Sequence, residues 1–272
     1  MKLLTKEVVE DIYKPRLPQS NKGSHGHAYM VAGSNLRMGA ALIAGRACMR
    51  AGVGLLTLNI PSEERGVIQT ALPEAMLVSR TNIGSIPNIY QAFGIGPAIG
   101  IGDNDSKMFG LFLKQINQLV LIDADAITLL SNHPEYWKEI KNESIITPHV
   151  KEFDRLFGIH QTAAERIHTA IEQAKQRNII IVLKDQHTVI TDGTSTYYNT
   201  YGNSGLAKGG SGDALSGIIL SFMAQGYSSL NAALMGVFIH ARAADITLKS
   251  QSVESMLITD VIENIGEAFK QL

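Results

Sequence analysis

The sequence holds a single cysteine, Cys48, so no internal disulfide can form and the fold must rest on its core. That scarcity fits a reducing compartment. Cys48 falls in an apolar helical pattern, where it reads as a small buried residue. Basic blocks are missing as well. The 24 Lys and Arg are matched by 25 Asp and Glu, for a net charge of −1, which argues against a nucleic-acid partner. No apolar stretch approaches the roughly 18 residues that a membrane span needs. The N-terminal MKLLTKEVVEDIY is charged too early for a signal peptide. A cytoplasmic protein without membrane association is therefore expected. Charged residues are also scarce, at 18%, while apolar residues make up 45%, which is a globular composition and not a disordered one. No Pro/Gly/Ser linker, repeat or low-complexity tract divides the chain, so residues 1–272 read as one domain.

What is present is an alternation of strand and helix patterns. After a short helix near Lys6 to Tyr13, strand-like apolar runs stand at Ala28 to Ser34, Gly54 to Ile60, Ala92 to Gly96, Leu119 to Ile122, Ile145 to Thr147 and Ile179 to Leu183. Helical spacing fills the gaps at Met38 to Ala51, at a segment capped by Ser62, at Asp103 to Ile116, Asp125 to Ser131, after Pro148, and at Ala163 to Gln176. Asp192-Gly193 between Thr188–Thr191 and Thr194–Tyr198 signals a hairpin. Three helices close the chain: Ser211 to Gln225, Leu230 to Lys249 and Thr259 to Lys270. Such alternation predicts an α/β fold with a mainly parallel sheet covered on both faces and an antiparallel hairpin at one edge. In such sheets ligands sit beyond the carboxyl ends of the strands.

The strongest chemical signal is Asn203-Ser204-Gly205-Leu206-Ala207-Lys208-Gly209-Gly210-Ser211-Gly212-Asp213, which runs into an apolar helix. Glycines free the backbone to turn N–H groups toward an anion, and the helix start adds its positive dipole end. Asp213 beside such a site either caps the helix or does chemistry. The stretch is neither a Walker loop nor a dinucleotide fingerprint, since it lacks both spacings. A second glycine-rich stretch, Lys22 to His27, reads equally as a flexible loop or a ligand approach, as do Gly39, Ala40, Ala41 and Ala44 at a helix start. Asp123 and Asp125 follow a strand, where a site role competes with helix capping. His149, between a strand and a helix, leans toward function, while Glu152 reads as a solvated helix face. Lys184 is either a phosphate ligand or a surface lysine. The remaining histidines share no spacing of a zinc site.

In their order and spacing, KGSHGHAYMVAGS, MGAALIAGRACMRAGVG, IGPA, LIDADAI, ITPHVKEFDRL, LKDQHTVITDG and GNSGLAKGGSGDALSGII resemble the ADP/ATP-dependent NAD(P)H-hydrate dehydratases, a branch of the ribokinase-like superfamily. The resemblance runs from about Lys22 to about Ile262. It implies a three-layer α/β/α fold and the repair of hydrated NADH or NADPH: water is eliminated while ADP, or ATP, loses its terminal phosphate. It also implies that Ala40, the Gly96-Pro97 turn with Ala98, and His149 face the hydrated dinucleotide. Lys184, Asp185, Gln186, His187 and Thr188 would hold the adenylate part. Gly209, Gly210, Ser211 and Gly212 would hold the phosphates, and Asp213 would be the base that deprotonates the substrate hydroxyl. Asn203 and Asp123 are further candidates. Mg²⁺ is implied on the nucleotide, with no protein metal ligands assigned. A homo-oligomer, a homotetramer in form, and a separate epimerase in the same pathway are implied too. Three positions depart from the family pattern. Ala98, Lys151 and Asp185 stand where glycine is usual. Two alternatives remain beside the dehydratase: a small-molecule kinase of the same superfamily, acting on a vitamin precursor or sugar, and a nucleotide-binding regulator without turnover.

Overall fold

The computed structural model describes residues 1–272. Ten strands form one sheet: β1 (Lys2–Leu3), β2 (His27–Val31), β3 (Leu55–Ile60), β4 (Met76–Ser79), β5 (Ala92–Ile95), β6 (Val120–Ile122), β7 (Ile145–Ile146), β8 (Ile180–Leu183), β9 (Val189–Thr191) and β10 (Thr196–Tyr198). Their order is β1-β10-β9-β8-β7-β6-β5-β2-β3-β4, and only β9 runs against its neighbours. The helices are α1 (Lys6–Ile12), α2 (Met38–Arg50), α3 (Arg65–Ala71), α4 (Asp103–Gln115), α5 (Ala124–Asn132), α6 (Val150–Phe157), α7 (Ala163–Arg177), α8 (Ser211–Ala224), α9 (Ser229–Thr247), α10 (Ile258–Glu263) and α11 (Ile265–Lys270). No helix is long and apolar enough to cross a membrane.

The sheet separates two cores, which makes the three layers. One, of 48 buried residues, packs α2, α8, α9, α10 and α11 on one face; the other, of 25, packs α4, α5, α6 and α7 on the opposite face. The larger core explains why α8 is apolar all round: α2 and α9 cover it, and every residue from Ala214 to Ala224 is buried. The small residues of α2 serve this packing. A Cβ on Gly217 would lie 2.0 Å from the Ala44 carbonyl oxygen, so only glycine lets the two helices approach.

Several expectations are corrected. The outermost strand beside the hairpin is β1, a two-residue piece too short to carry a pattern. The half-buried edge strand β4 was missed because it lacks clean alternation. Ser62 caps nothing: its hydroxyl bonds the Ser79 hydroxyl, and Pro61 precedes a short 3-10 turn leading into α3. The last helical stretch is two helices broken at Asn264, whose side chain reaches out to Thr247. The glycine-rich Lys22 to His27 lies at the amino end of β2, away from the strands' carboxyl ends. There a Cβ on Gly26 would fall 1.8 Å from the Ala224 carbonyl oxygen, so this glycine serves close backbone packing.

Candidate functional site

The carboxyl ends of β5, β6, β7 and β8 converge on the start of α8. Gly96 follows β5 with φ +144°, and a Cβ there would lie 1.8 Å from the Asp123 carbonyl oxygen, so glycine lets the turn after β5 press against the end of β6. A parallel bridge joins His149 to Lys184 beyond β7 and β8, with the Lys184 N–H donating to the Pro148 carbonyl at 2.8 Å. Four sequence candidates are thereby set side by side.

Asp123 is not a helix cap. Its carboxylate is 1% exposed, accepts from the Lys184 ammonium at 2.7 Å and from the Ser216 hydroxyl at 2.5 Å, and makes no capping bond to α5. Lys184 is therefore not a free surface lysine. Its charge is spent on a buried partner, which offsets the cost of desolvating both. Asp125 accepts from the Gly100 N–H at 2.9 Å and orders the loop after β5. Glu152, expected on a solvated face, is buried. It accepts from the His149 N–H at 2.8 Å, while His149 Nδ1 accepts from the Glu152 N–H at 3.1 Å, a reciprocal cap for α6. Burial, and then the charge of Lys184, lower the His149 imidazole below its ordinary value, so its outer half presents a neutral ring.

At the start of α8, Gly210 sits in the left-handed region at φ +92° and turns the chain so that the first N–H groups of the helix face outward. A Cβ on Gly212 would lie 3.2 Å from Lys184 Nζ, so the buried pair sits directly beneath. Asp213 follows. Its carboxylate takes no side-chain cap role and bonds to no protein donor. Burial, and next the charge of Asp123, push its carboxyl up to about 7, against the opposing pull of Lys184. A carboxyl poised there can take a proton at neutral pH.

Beside this edge opens a cavity of about 560 Å³. It is lined by Lys184, Asp185, Gln186, His187 and Thr188 on one side and by Ser211 and Gly212 on another. Asn203 also lines it, but its amide is committed: Nδ2 donates to Asp245 and Oδ1 accepts from the Gly205 N–H. Gly209, Gly210, Ala40, Gly96, Ala98, His149 and Asp213 lie outside the lining, with Gly209, Gly210 and Asp213 flanking its Ser211 and Gly212 along the chain. The sequence reading missed Ser216, Asn199 and the α9 face of Val237, His240 and Ala241, which also lines the cavity. A histidine inside an apolar helix at that i, i+3, i+4 spacing was the available signal.

The three departures from glycine differ in consequence. Lys151 lies in α6 and Asp185 outside the left-handed region, so neither needs glycine's freedom. Asp185 Oδ1 accepts from the Gln186 N–H at 2.7 Å and stiffens its turn. Ala98 does need it, at φ +52°.

The sequence model of the NAD(P)H-hydrate dehydratases matches residues 28–267. The chain belongs to this family. A curated relative from Listeria monocytogenes, named ADP-dependent (S)-NAD(P)H-hydrate dehydratase, is 32% identical over 99% of this chain and 97% of its own. Of the bifunctional NAD(P)H-hydrate repair enzymes from Thermofilum pendens, Vibrio cholerae and Escherichia coli, the chain spans about half the length, 52%, 51% and 49%. Among solved structures, the Bacillus subtilis ADP/ATP-dependent NAD(P)H-hydrate dehydratase co-crystallised with ATP and Mg²⁺ superposes with a TM-score of 0.89 at 29% identity, covering 99% of this chain and 98% of that one. A ribokinase-like superfamily protein from Enterococcus faecalis gives 0.86 at 27% identity, covering 99% and 95%. The expected ribokinase-like α/β/α layering is thus borne out for the family.

Proposed function

We propose that this chain removes water from hydrated NADH or NADPH at the expense of ADP or ATP. The observation that carries the reading is Asp213: a carboxyl free of protein donors, held near neutral, at the border between an anion-receiving helix start and the edge formed by Gly96, Ala98 and His149. In this reading the cavity holds the nucleotide, with Lys184 to Thr188 along the adenylate and Gly209 to Gly212 around the phosphates. The hydrated dinucleotide lies along Ala40, Gly96, Ala98 and His149.

The substrate hydroxyl attacks the terminal phosphorus and its proton passes to Asp213. The new O–P bond forms as the bond from that phosphorus to the bridging oxygen breaks, releasing AMP from ADP or ADP from ATP. The carbon–oxygen bond then breaks, phosphate departs, and a proton leaves the neighbouring carbon, which restores the reduced nicotinamide. The N–H groups at the start of α8 stabilise charge on the transferred group. His149 Nδ1 already accepts from the Glu152 N–H, so that lone pair is engaged and the ring can orient the dinucleotide without taking the proton.

The donor set suits Mg²⁺ carried by the nucleotide. No three His, Cys, Asp or Glu side chains are grouped to hold a metal alone, and Mg²⁺ at such sites is held largely by phosphate oxygens and water. Bound there, the ion would neutralise charge on the phosphates. Action on one hydrate stereoisomer would call for a separate epimerase, and a homotetramer working in the cytoplasm belongs to the same proposal.

Incubation with hydrated NADH and ADP tests it. Restored NADH absorbance and inorganic phosphate in equal amounts are expected. A stable phosphorylated small molecule instead would hand the same base and anion site to a kinase. Nucleotide binding without either product would leave a regulator.

A further inference from the structure

Six buried side-chain polar atoms find no partner in the protein: His25 Nε2, Thr147 Oγ1, Asn199 Oδ1, Ser229 Oγ, His240 Nε2 and Gln251 Oε1. Two of them, on Asn199 and His240, belong to residues that line the 560 Å³ cavity. These residues are 4% and 6% exposed. A buried polar atom left unmatched is costly, and most in folded proteins are matched. Two such atoms carried by residues of one cavity wall point to a partner that arrives with a ligand.

Their chemistry narrows that partner. Asn199 follows β10, and its backbone N–H donates to the Thr188 carbonyl at 2.9 Å, which ties it to the far end of the cavity-lining loop. Its Nδ2 donates to the Tyr201 carbonyl at 2.9 Å. A carbonyl can only accept, so the amide's orientation is fixed and the free atom is the acceptor Oδ1. The ligand must therefore bring an N–H or O–H there. His240 stands on α9 between Val237 and Ala241, whose apolar surface lines the same wall. Burial, and then the charge of Lys184, push its imidazole down to about 4, so the ring is neutral and offers one donor and one acceptor. The phosphates are drawn to the N–H groups of α8, so they are not the groups that need an acceptor. What remains of a nucleotide is the nucleoside: an apolar body with a polar edge, bringing amino and hydroxyl hydrogens.

We propose that Asn199 and His240 form the polar pair that recognises the nucleoside of the bound nucleotide, with Asn199 Oδ1 accepting one of its N–H or O–H groups. The inference rests on the nucleotide reading of the cavity given above. It adds specificity determinants outside both the glycine cluster and the Lys184 to Thr188 loop. The base amino group and the ribose hydroxyls share the required chemistry, and analogues separate them.

The test is calorimetric binding of ADP, inosine diphosphate, 2′-deoxy-ADP and pyrophosphate to the full chain and to Asn199→Ala, His240→Leu and His240→Gln. Asn199→Ala and His240→Leu should weaken ADP roughly ten- to a hundredfold while pyrophosphate binds as to the parent. His240→Leu replaces an unmatched polar ring with an apolar side chain, so the ligand-free variant should melt no lower than the parent. A residue with a purely structural role would do the opposite. Should His240→Leu not fold, His240→Gln and Asn199→Ala still decide the matter through ADP affinity. In the parent, selective loss of inosine diphosphate places the pair on the base amino group, and selective loss of 2′-deoxy-ADP places it on the ribose. Folded variants that bind ADP like the parent overturn the pair while leaving the nucleotide site standing. So do both analogues binding as well as ADP. A parent that binds no ADP overturns the nucleotide reading itself.

Discussion

Replacing Asp213 with asparagine should separate activity from stability in opposite directions. The carboxyl sits near 7 in the fold against an ordinary value of 3.8. The native state therefore keeps a proton that the unfolded chain has already released between those pH values. The stability this contributes is fully present below the ordinary value and is lost as pH rises through the folded one. At pH 8 the native protein carries an ionised, desolvated carboxylate at a cost of at most about 4 kcal/mol. The group is partly exposed and screened by water, which brings the cost to about 2 kcal/mol. Asparagine has nearly the same shape and no charge to desolvate. Asp213→Asn should therefore raise the melting temperature at pH 8 by roughly 5 °C for a domain of this size, with the gain shrinking toward pH 5. Turnover should fall by roughly 10²-fold or more, the scale for losing a positioned base. In the parent, kcat/KM should fall about tenfold per pH unit below 7 as the carboxylate is protonated. The assays are thermal melts and steady-state kinetics across pH 5 to 8, on parent and variant together. A variant that is less stable at pH 8 would refute the burial argument. One that turns over like the parent would reduce Asp213 to a feature of the helix start.

Gly212→Val should weaken ADP binding at least tenfold, because its Cβ alone would come to 3.2 Å from Lys184 Nζ and the added methyls crowd the anion's approach; unchanged affinity by calorimetry in a folded variant would exclude that role. His149→Ala should lose about 1 kcal/mol by uncapping α6 and raise the KM for the hydrate more than that for the nucleotide. His149→Asn keeps a capping side chain, so it should retain stability and still raise the hydrate KM; the reverse ordering of the two constants moves His149 to the nucleotide side. Ala98→Gly should raise the urea unfolding free energy by about 0.5 kcal/mol, since glycine relieves the left-handed backbone at a smaller entropic cost, and a lower midpoint would count against strain at that turn.

Local pattern alone determined much of this protein. Hydrophobic periodicity gave the alternation of strands and helices, because burial on a sheet or helix imposes a period that survives without tertiary context. Asp192-Gly193 marked the hairpin, and glycines before an apolar helix marked the start of α8, because positive φ and free N–H groups are written into a few consecutive residues. The breaks came where meaning depends on distant partners. Asp123 reads equally as a helix cap or a site residue until Lys184, 61 residues away, and Ser216, 93 residues away, close on it. Glu152 reads as solvated until the fold buries it against His149. The position of Asp213 is visible in the sequence, but its shift to about 7 is not, because desolvation is set by the elements packed over it and by the neighbouring charge of Asp123. Asn199 carried no motif, and His240 only a helical spacing with Val237 and Ala241. Only the tertiary structure leaves an atom of each unmatched and brings both residues to the wall of one cavity, because hydrogen-bond satisfaction is decided by what surrounds a group in space and not by its neighbours along the chain.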